Sequence, residues 1–141
     1  MDNIQLSKNF WLKEFDFVKP EFELLSLLQQ IRDLAQTPVI ITDSARTVDQ
    51  HIAIYKKIYG DEWLNKIPWG SRHLPAYNKG LRAVDFKVKK GAKSFYTGKD
   101  IKEIVKPLAE KDDIFIGLGV GSQFVHLDVD RKKYTEWGYD Y

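Results

Sequence analysis

Ile114-Phe115-Ile116-Gly117-Leu118-Gly119-Val120-Gly121-Ser122-Gln123-Phe124-Val125-His126-Leu127-Asp128-Val129 is the stretch whose reading decides the fold. Its two ends, residues 114–116 and 124–129, are short, apolar, and rich in β-branched and aromatic side chains, which predicts two strands. The glycines at 117, 119 and 121 read as the turn that joins them. A phosphate-cradling loop is the other reading of these glycines, but no helix follows them and no Lys-Ser/Thr pair closes the series. Working outward, residues 82–88 set Ala83 and Asp85 against Val84 and Phe86, the alternation of another strand. Its exposed end is Lys87-Val88-Lys89-Lys90-Gly91, and the lysines from Lys87 to Lys93 read as a solvated strand end and loop. Val39-Ile40-Ile41-Thr42 has the composition of a central strand.

Helices fill the intervals. Pro20 suits a first helical position, and Phe22, Leu24, Leu25, Leu27, Leu28, Ile31 and Leu34 follow at spacings near the helical repeat, ending near Gln36. Thr37-Pro38 breaks that helix. Thr47 and Gln50 form a capping-box pattern for a second helix to about Tyr59. Thr97 caps a third, of about ten residues, with Ile101, Ile104, Val105 and Leu108 on its apolar side. Residues 60–80 are irregular, with room for a short helical turn near 61–65. They carry Trp63, Trp69 and Tyr77, which read either as packing residues or as the lining of a groove. Strands and helices without regular βαβ alternation predict an α+β fold, a small, mainly antiparallel sheet flanked by helices. The 141 residues fit one domain, 1–141.

Composition removes several classes of function. Lys plus Arg total 22 against 20 Asp plus Glu, a net charge of +2, which argues against a dedicated nucleic-acid binder. With no cysteine there is no disulfide, thiolate zinc site, iron–sulfur cluster or cysteine nucleophile. No apolar run approaches the ~18 residues of a membrane span, so no membrane insertion is expected. Met1-Asp2-Asn3-Ile4-Gln5 lacks the features of a secretory signal, so the expectation is a chain that is cytoplasmic as synthesised and exported, if at all, by another route.

Three histidines remain as candidates for chemistry: His51, His73 and His126. His73 lies in Gly70-Ser71-Arg72-His73-Leu74. Asp85 lies within an apolar strand, where a carboxylate needs a partner or a metal. His126 lies in another, between Val125 and Leu127. Two imidazoles and a carboxylate make a ligand set for catalytic zinc, with the fourth position left to water. Taken singly, each residue also fits a hydrogen-bonded core histidine or a salt-bridged aspartate.

In order along the chain, these residues resemble the zinc D-alanyl-D-alanine peptidases of the Hedgehog/DD-peptidase fold, a family that includes carboxypeptidases, dipeptidases and phage endolysins. Ser7-Lys8-Asn9-Phe10-Trp11-Leu12-Lys13-Glu14-Phe15 resembles the family's N-terminal Ser-x-Asn-Phe-x-x-x-Glu-Phe. Ile41-Thr42-Asp43-Ser44-Ala45-Arg46-Thr47 resembles its Ile-Thr-Ser-Gly-x-Arg-Thr. Ser71-Arg72-His73 with Gly80-Leu81-Arg82-Ala83-Val84-Asp85 resembles the Ser-x-His-x-x-Gly-x-Ala-x-Asp zinc motif, split by Pro75-Ala76-Tyr77-Asn78-Lys79. Gly117-Leu118-Gly119 with Phe124-Val125-His126-Leu127-Asp128 resembles its closing Gly-x-Gly and Phe-x-His-x-Asp.

The resemblance implies Zn2+ held by His73, Asp85 and His126. It implies hydrolysis of a peptide bond in the peptidoglycan stem by a metal-activated water, as a D-Ala carboxypeptidase or endopeptidase, with the stem peptide as partner and the protein a monomer. Arg46 would bind a substrate carboxylate or carbonyl, or form a structural salt bridge. Ser71 would support its loop or touch substrate. Where many relatives carry an acidic general base, three residues before the last histidine, this chain has Gln123. The base is then Asp128, an acid from another loop, or missing, and Asp128 equally suits a partner of His126, since residues two apart on a strand share a face. A phage lysis enzyme reaching the wall after holin-type release is one expectation. A catalytically silent wall-binding relative and a zinc-stabilised phage structural protein are the others.

Overall fold

The computed structural model describes residues 2–75 and 80–141. The chain opens on a two-stranded antiparallel ribbon, β1 (Gln5–Ser7) and β2 (Phe10–Trp11), followed by a 3-10 turn at Leu12–Phe15. Each distinctive residue of this segment has a structural task. Phe10 and Phe15 are buried in the core. The Glu14 carboxylate accepts the Trp11 N–H at 2.7 Å, and Ser7 donates to Gln29 Oε1 at 2.6 Å. Gln29 also exchanges hydrogen bonds with Asn9, at 3.1 and 2.9 Å, and so ties the ribbon to α1 (Phe22–Ala35).

Helix α1 buries Leu24, Leu27, Leu28 and Ile31 completely, each contributing about 2 kcal/mol. Phe22 and Leu34, expected on the same face, are exposed. Pro20 is not the first helical residue. Residues 19–21 run extended beside Leu81, whose N–H donates to the Lys19 carbonyl at 3.1 Å and whose carbonyl accepts the Glu21 N–H at 2.8 Å. This pairing delays the helix by two residues.

β3 (Val39–Asp43) follows, then α2 (Val48–Tyr59), whose start is the expected capping box: Gln50 N–H donates to Thr47 Oγ1 at 3.1 Å and Thr47 N–H to Gln50 Oε1 at 2.9 Å. A 3-10 turn at Gly60–Glu62 leads into the one-turn helix α3 (Trp63–Lys66). Next come β4 (Ala83–Val88) and α4 (Gly98–Lys111), capped by Thr97. α4 runs for 14 residues and passes through Pro107, because burial of Ile101, Val105 and Ala109 carries it beyond the expected ten. The lysine-rich end of β4 is less exposed than its composition implied, since Val88 points into the core.

The last strands are β5 (Gly117–Val120), β6 (Val125–Asp128) and β7 (Thr135–Gly138). Residues 114–116 are not a strand, and Gly117 and Gly119 are not a turn. The strand starts three residues later than the composition predicts, and the turn occupies 121–124. The five-stranded sheet has the order β3-β4-β6-β5-β7, antiparallel throughout except for the parallel pair β5 and β7. The architecture is therefore α+β with a mixed sheet. Val84, Phe86, Val125, Leu127 and Leu118 point from one face into a core shared with α1 and α4. The opposite face carries the chemistry. Among the described residues no helix is long and apolar enough to cross a membrane.

Candidate metal site and cleft

Register puts one row of residues across the polar face of the sheet. Asp43 lies opposite Asp85, Asp85 opposite His126, His126 opposite Gly119, and Gly119 opposite Trp137. Adjacent strands thus bring two candidate ligands together by backbone pairing alone. The third arrives from a loop. Arg46 N–H donates to the His73 carbonyl at 2.8 Å, and the Ser71 hydroxyl accepts the His73 N–H at 3.4 Å, fixing the loop over β4.

His73 Nε2, His126 Nδ1 and Asp85 Oδ1 form a triangle with sides of 3.2, 3.0 and 3.4 Å. Donors about 2.0–2.1 Å from a tetrahedral ion stand about 3.3 Å apart, so the triangle has the size of one face of such a site. The remaining ring nitrogens are committed. His73 Nδ1 donates to the Ser44 carbonyl at 2.7 Å, and His126 Nε2 donates to Asp128 Oδ2 at 2.7 Å. A carbonyl oxygen can only accept, so neutral His73 turns a bare lone pair toward the triangle, and neutral His126 does the same. Three acceptors converge on one point, an arrangement that calls for a cation. This group can hold a metal ion.

The charge balance at the site also favours positive charge, here as a proton on His126 that a metal ion would displace. Burial works against charge on both Asp85 and His126. The hydrogen bonds between them, and those of Asp128 and His73, outweigh it, holding the Asp85 carboxyl below the usual carboxylate range and His126 above its ordinary 6.5. Asp128 is buried, and both its oxygens are engaged: Arg131 grips them through Nε and Nη2 at 2.6 Å each, and Gly117 N–H donates to Oδ1 at 3.1 Å. Burial raises its pKa, but Arg131 and His126 prevail and hold it at about 2. Asp128→Asn is expected to weaken metal binding about 10–100-fold, as loss of an outer-sphere carboxylate does. Competition with a chelating dye would measure it, and unchanged affinity would remove Asp128 from the site.

Gly117 and Gly119 owe their identity to this face. A Cβ on Gly117 would lie 2.5 Å from both Asp128 Oδ1 and Arg131 Nε, and one on Gly119 would lie 2.6 Å from the Tyr139 ring and 2.7 Å from Trp137 Nε1. The missing side chains make room for the groups that orient His126. Trp137 packs against that imidazole at 5.2 Å and under the Arg131 guanidinium at 5.4 Å.

Arg46 is a salt-bridge partner of Asp43, through Nη2 at 2.6 Å and Nε at 3.1 Å, and it also lines the cleft. Its Nη1 donates to His51 Nδ1 at 3.3 Å, while His51 Nε2 donates to the Pro68 carbonyl at 3.0 Å. Buried His51 therefore clasps α2 to the loop before Ser71. Burial first, then the Arg46 charge, depresses its pKa. A depressed histidine contributes stability above its unfolded value of 6.5 and loses it as pH falls from there toward the folded value. His51→Asn should therefore flatten the loss of stability below pH 6.5, as measured by denaturant titration at several pH values; an unchanged slope would exclude His51 as its source.

A cleft of about 550 Å3 opens over the triangle. Arg46, Ser71, His73, Asp85, His126 and Asp128 all line it, and Asp85 and Asp128 are its only lining carboxylates among the described residues. Gln123 is exposed in the turn after β5 and lies outside the lining. Trp63 packs under Lys56 at 5.0 Å, away from the cleft; Tyr77 lies outside the described residues, as do 76, 78 and 79 of the expected insertion. The residues missed from sequence are Arg131, Trp137, Tyr139 and Tyr141; His51 stood among the candidate histidines, and the structure makes it a clasp. The alternation of Trp137, Tyr139 and Tyr141 was a readable strand signal. Nothing local marked Arg131. No family model, no curated protein and no solved structure matches the chain.

Proposed function

We propose that the chain is a zinc peptidase of the Hedgehog/DD-peptidase fold that hydrolyses stem peptides of peptidoglycan. The observation that carries this reading is the acceptor triangle of His73, Asp85 and His126, with each second imidazole nitrogen tied to a fixed acceptor. Two nitrogens and one oxygen suit zinc better than magnesium or calcium, which favour all-oxygen cages. Zinc supplies Lewis acidity toward a carbonyl and an acidified water when bound. The chain's own groups supply the rest. Ser44 and Asp128 orient the two imidazoles. Arg46, whose Nε and Nη2 are held by Asp43 and whose Nη1 is held by His51, lines the cleft as a positive charge that favours a carboxylate or carbonyl oxygen. Ser71 holds the loop that carries His73. Peptidoglycan as substrate rests on the ordered motif resemblance.

A second reading, a metal-binding relative without hydrolysis, is favoured by one observation. Asp85 belongs to the triangle, and Asp128 spends both oxygens on Arg131, Gly117 and His126, so the described lining leaves no carboxylate free to take a proton. The deciding experiment is the metal content of the purified protein beside digestion of purified peptidoglycan, with products identified by mass. About one zinc per chain and new peptide ends support the peptidase. Zinc without new ends supports the second reading. No zinc after its addition overturns both.

A further inference from the structure

The cleft has two aromatic sides that metal binding does not require. On one, Phe124, Tyr139 and Tyr141 stack on one another, with centroids 5.4, 5.8 and 5.5 Å apart. On the other, α2 presents Ile54, Tyr55 and Ile58 to the cleft, while Trp69 packs against His51 at 6.4 Å and lies outside the lining. Much of this surface is left in water: Tyr141 is 71% exposed and Ile58 61%. Helix α2 itself buries only His51, and its Ile54, Tyr55 and Ile58 line the cleft rather than the core. An apolar rim set among polar groups around a cleft marks a binding surface.

The chemistry of the rim selects its occupant. Rings alternate there with the hydroxyls of Tyr55, Tyr141 and Ser71. A purely aliphatic ligand would leave those polar groups without partners. A sugar ring has the matching character, with apolar C–H faces for the rings and hydroxyl or acetamido edges for the donors. We propose that this aromatic rim is a saccharide subsite, which binds the N-acetylated hexosamine chain next to the scissile peptide. Resting on the peptidase reading, this deepens it: the substrate is a stem still attached to its glycan rather than a free peptide.

The test is calorimetric titration of the full chain with peptide-free N-acetylglucosamine–N-acetylmuramic acid oligosaccharides, beside hydrolysis of glycan-linked and free stems. The expected result is saccharide binding that weakens about tenfold in Tyr141→Ala and in Tyr55→Ala and survives in Tyr141→Phe, where the ring is kept. Wild-type KM should favour glycan-linked over free stems, and the two alanine variants should lose that preference. Saccharide binding without hydrolysis upholds the subsite while removing the peptidase reading. Hydrolysis of both substrates with equal KM and no saccharide binding overturns the subsite and leaves the peptidase reading intact. Equal weakening in Tyr141→Phe and Tyr141→Ala overturns ring stacking as its basis.

Discussion

Replacing His126 with alanine is expected to abolish metal binding, and replacing His73 is expected to do the same. Each substitution removes one corner of a triangle whose sides are only 3.0–3.4 Å, and no other histidine can substitute, because His51 is tied to Arg46 and Pro68. Structural zinc sites in small domains bind with about 10–16 kcal/mol, so losing one of three protein ligands should lower affinity on the order of a thousandfold or more. Any hydrolysis of peptidoglycan should vanish with the ion. The fold should persist in His126→Ala, since Asp128 keeps Arg131 and Gly117 as partners. Gln123→Ala, at an exposed turn outside the cleft lining, should retain the ion and serves as the control. The measurement is metal content after dialysis against buffered zinc, with circular dichroism to verify folding. Full occupancy in either histidine variant would falsify the ligand assignment.

Gly98→Ala should produce the largest loss of stability. The first turn of α4 abuts the backbone of the β5–β6 turn, where Gly98 N–H donates to the Ser122 carbonyl at 3.0 Å. A Cβ at residue 98 would stand 2.0 Å from the Gly121 carbonyl oxygen and 2.8 Å from that of Phe124. Both neighbours are main chain, so no side-chain rotation relieves the overlap, and helix and turn must separate. Overpacking of this kind costs about 3 kcal/mol. For a chain of this size that corresponds to a fall in Tm on the order of 10 °C. Because the same turn carries Phe124 to the cleft wall, saccharide binding should weaken as well. A thermal melt within a degree or two of wild type would show that the contact is easily relaxed.

Local signals were the most legible part of the sequence. The Thr47–Gln50 capping box and the Thr97 cap act within three residues and appear where the pattern puts them. The strand at 83–88 follows from alternation, because one of its faces is core and the other is not. Pro20 and the glycine series misled for a common reason. Each has a local meaning, helix start or turn, and each is used instead for a contact with residues far away in sequence. Pro20 lies beside Leu81, while Gly117 and Gly119 clear space for Asp128, Arg131 and Trp137. The last strand was missed because its partner β5 lies parallel to it, and parallel pairing has no hairpin turn to announce it.

By itself, then, the sequence determined the α+β class, the helix caps, and the identity and order of His73, Asp85 and His126 as the candidate ligand set. Short-range periodicity and side-chain chemistry suffice for the class and the caps, and the ordered resemblance singled out the three ligand candidates. The tertiary structure decided what each residue does. It brings His73 to within 3.2 Å of a histidine 53 positions later, and it divides Arg46 between Asp43, His51 and the cleft. It also encloses Asp128 between Arg131 and His126, as a partner with no oxygen to spare. Such roles depend on distances across the fold, and a linear pattern carries donors and acceptors but not the separations between them.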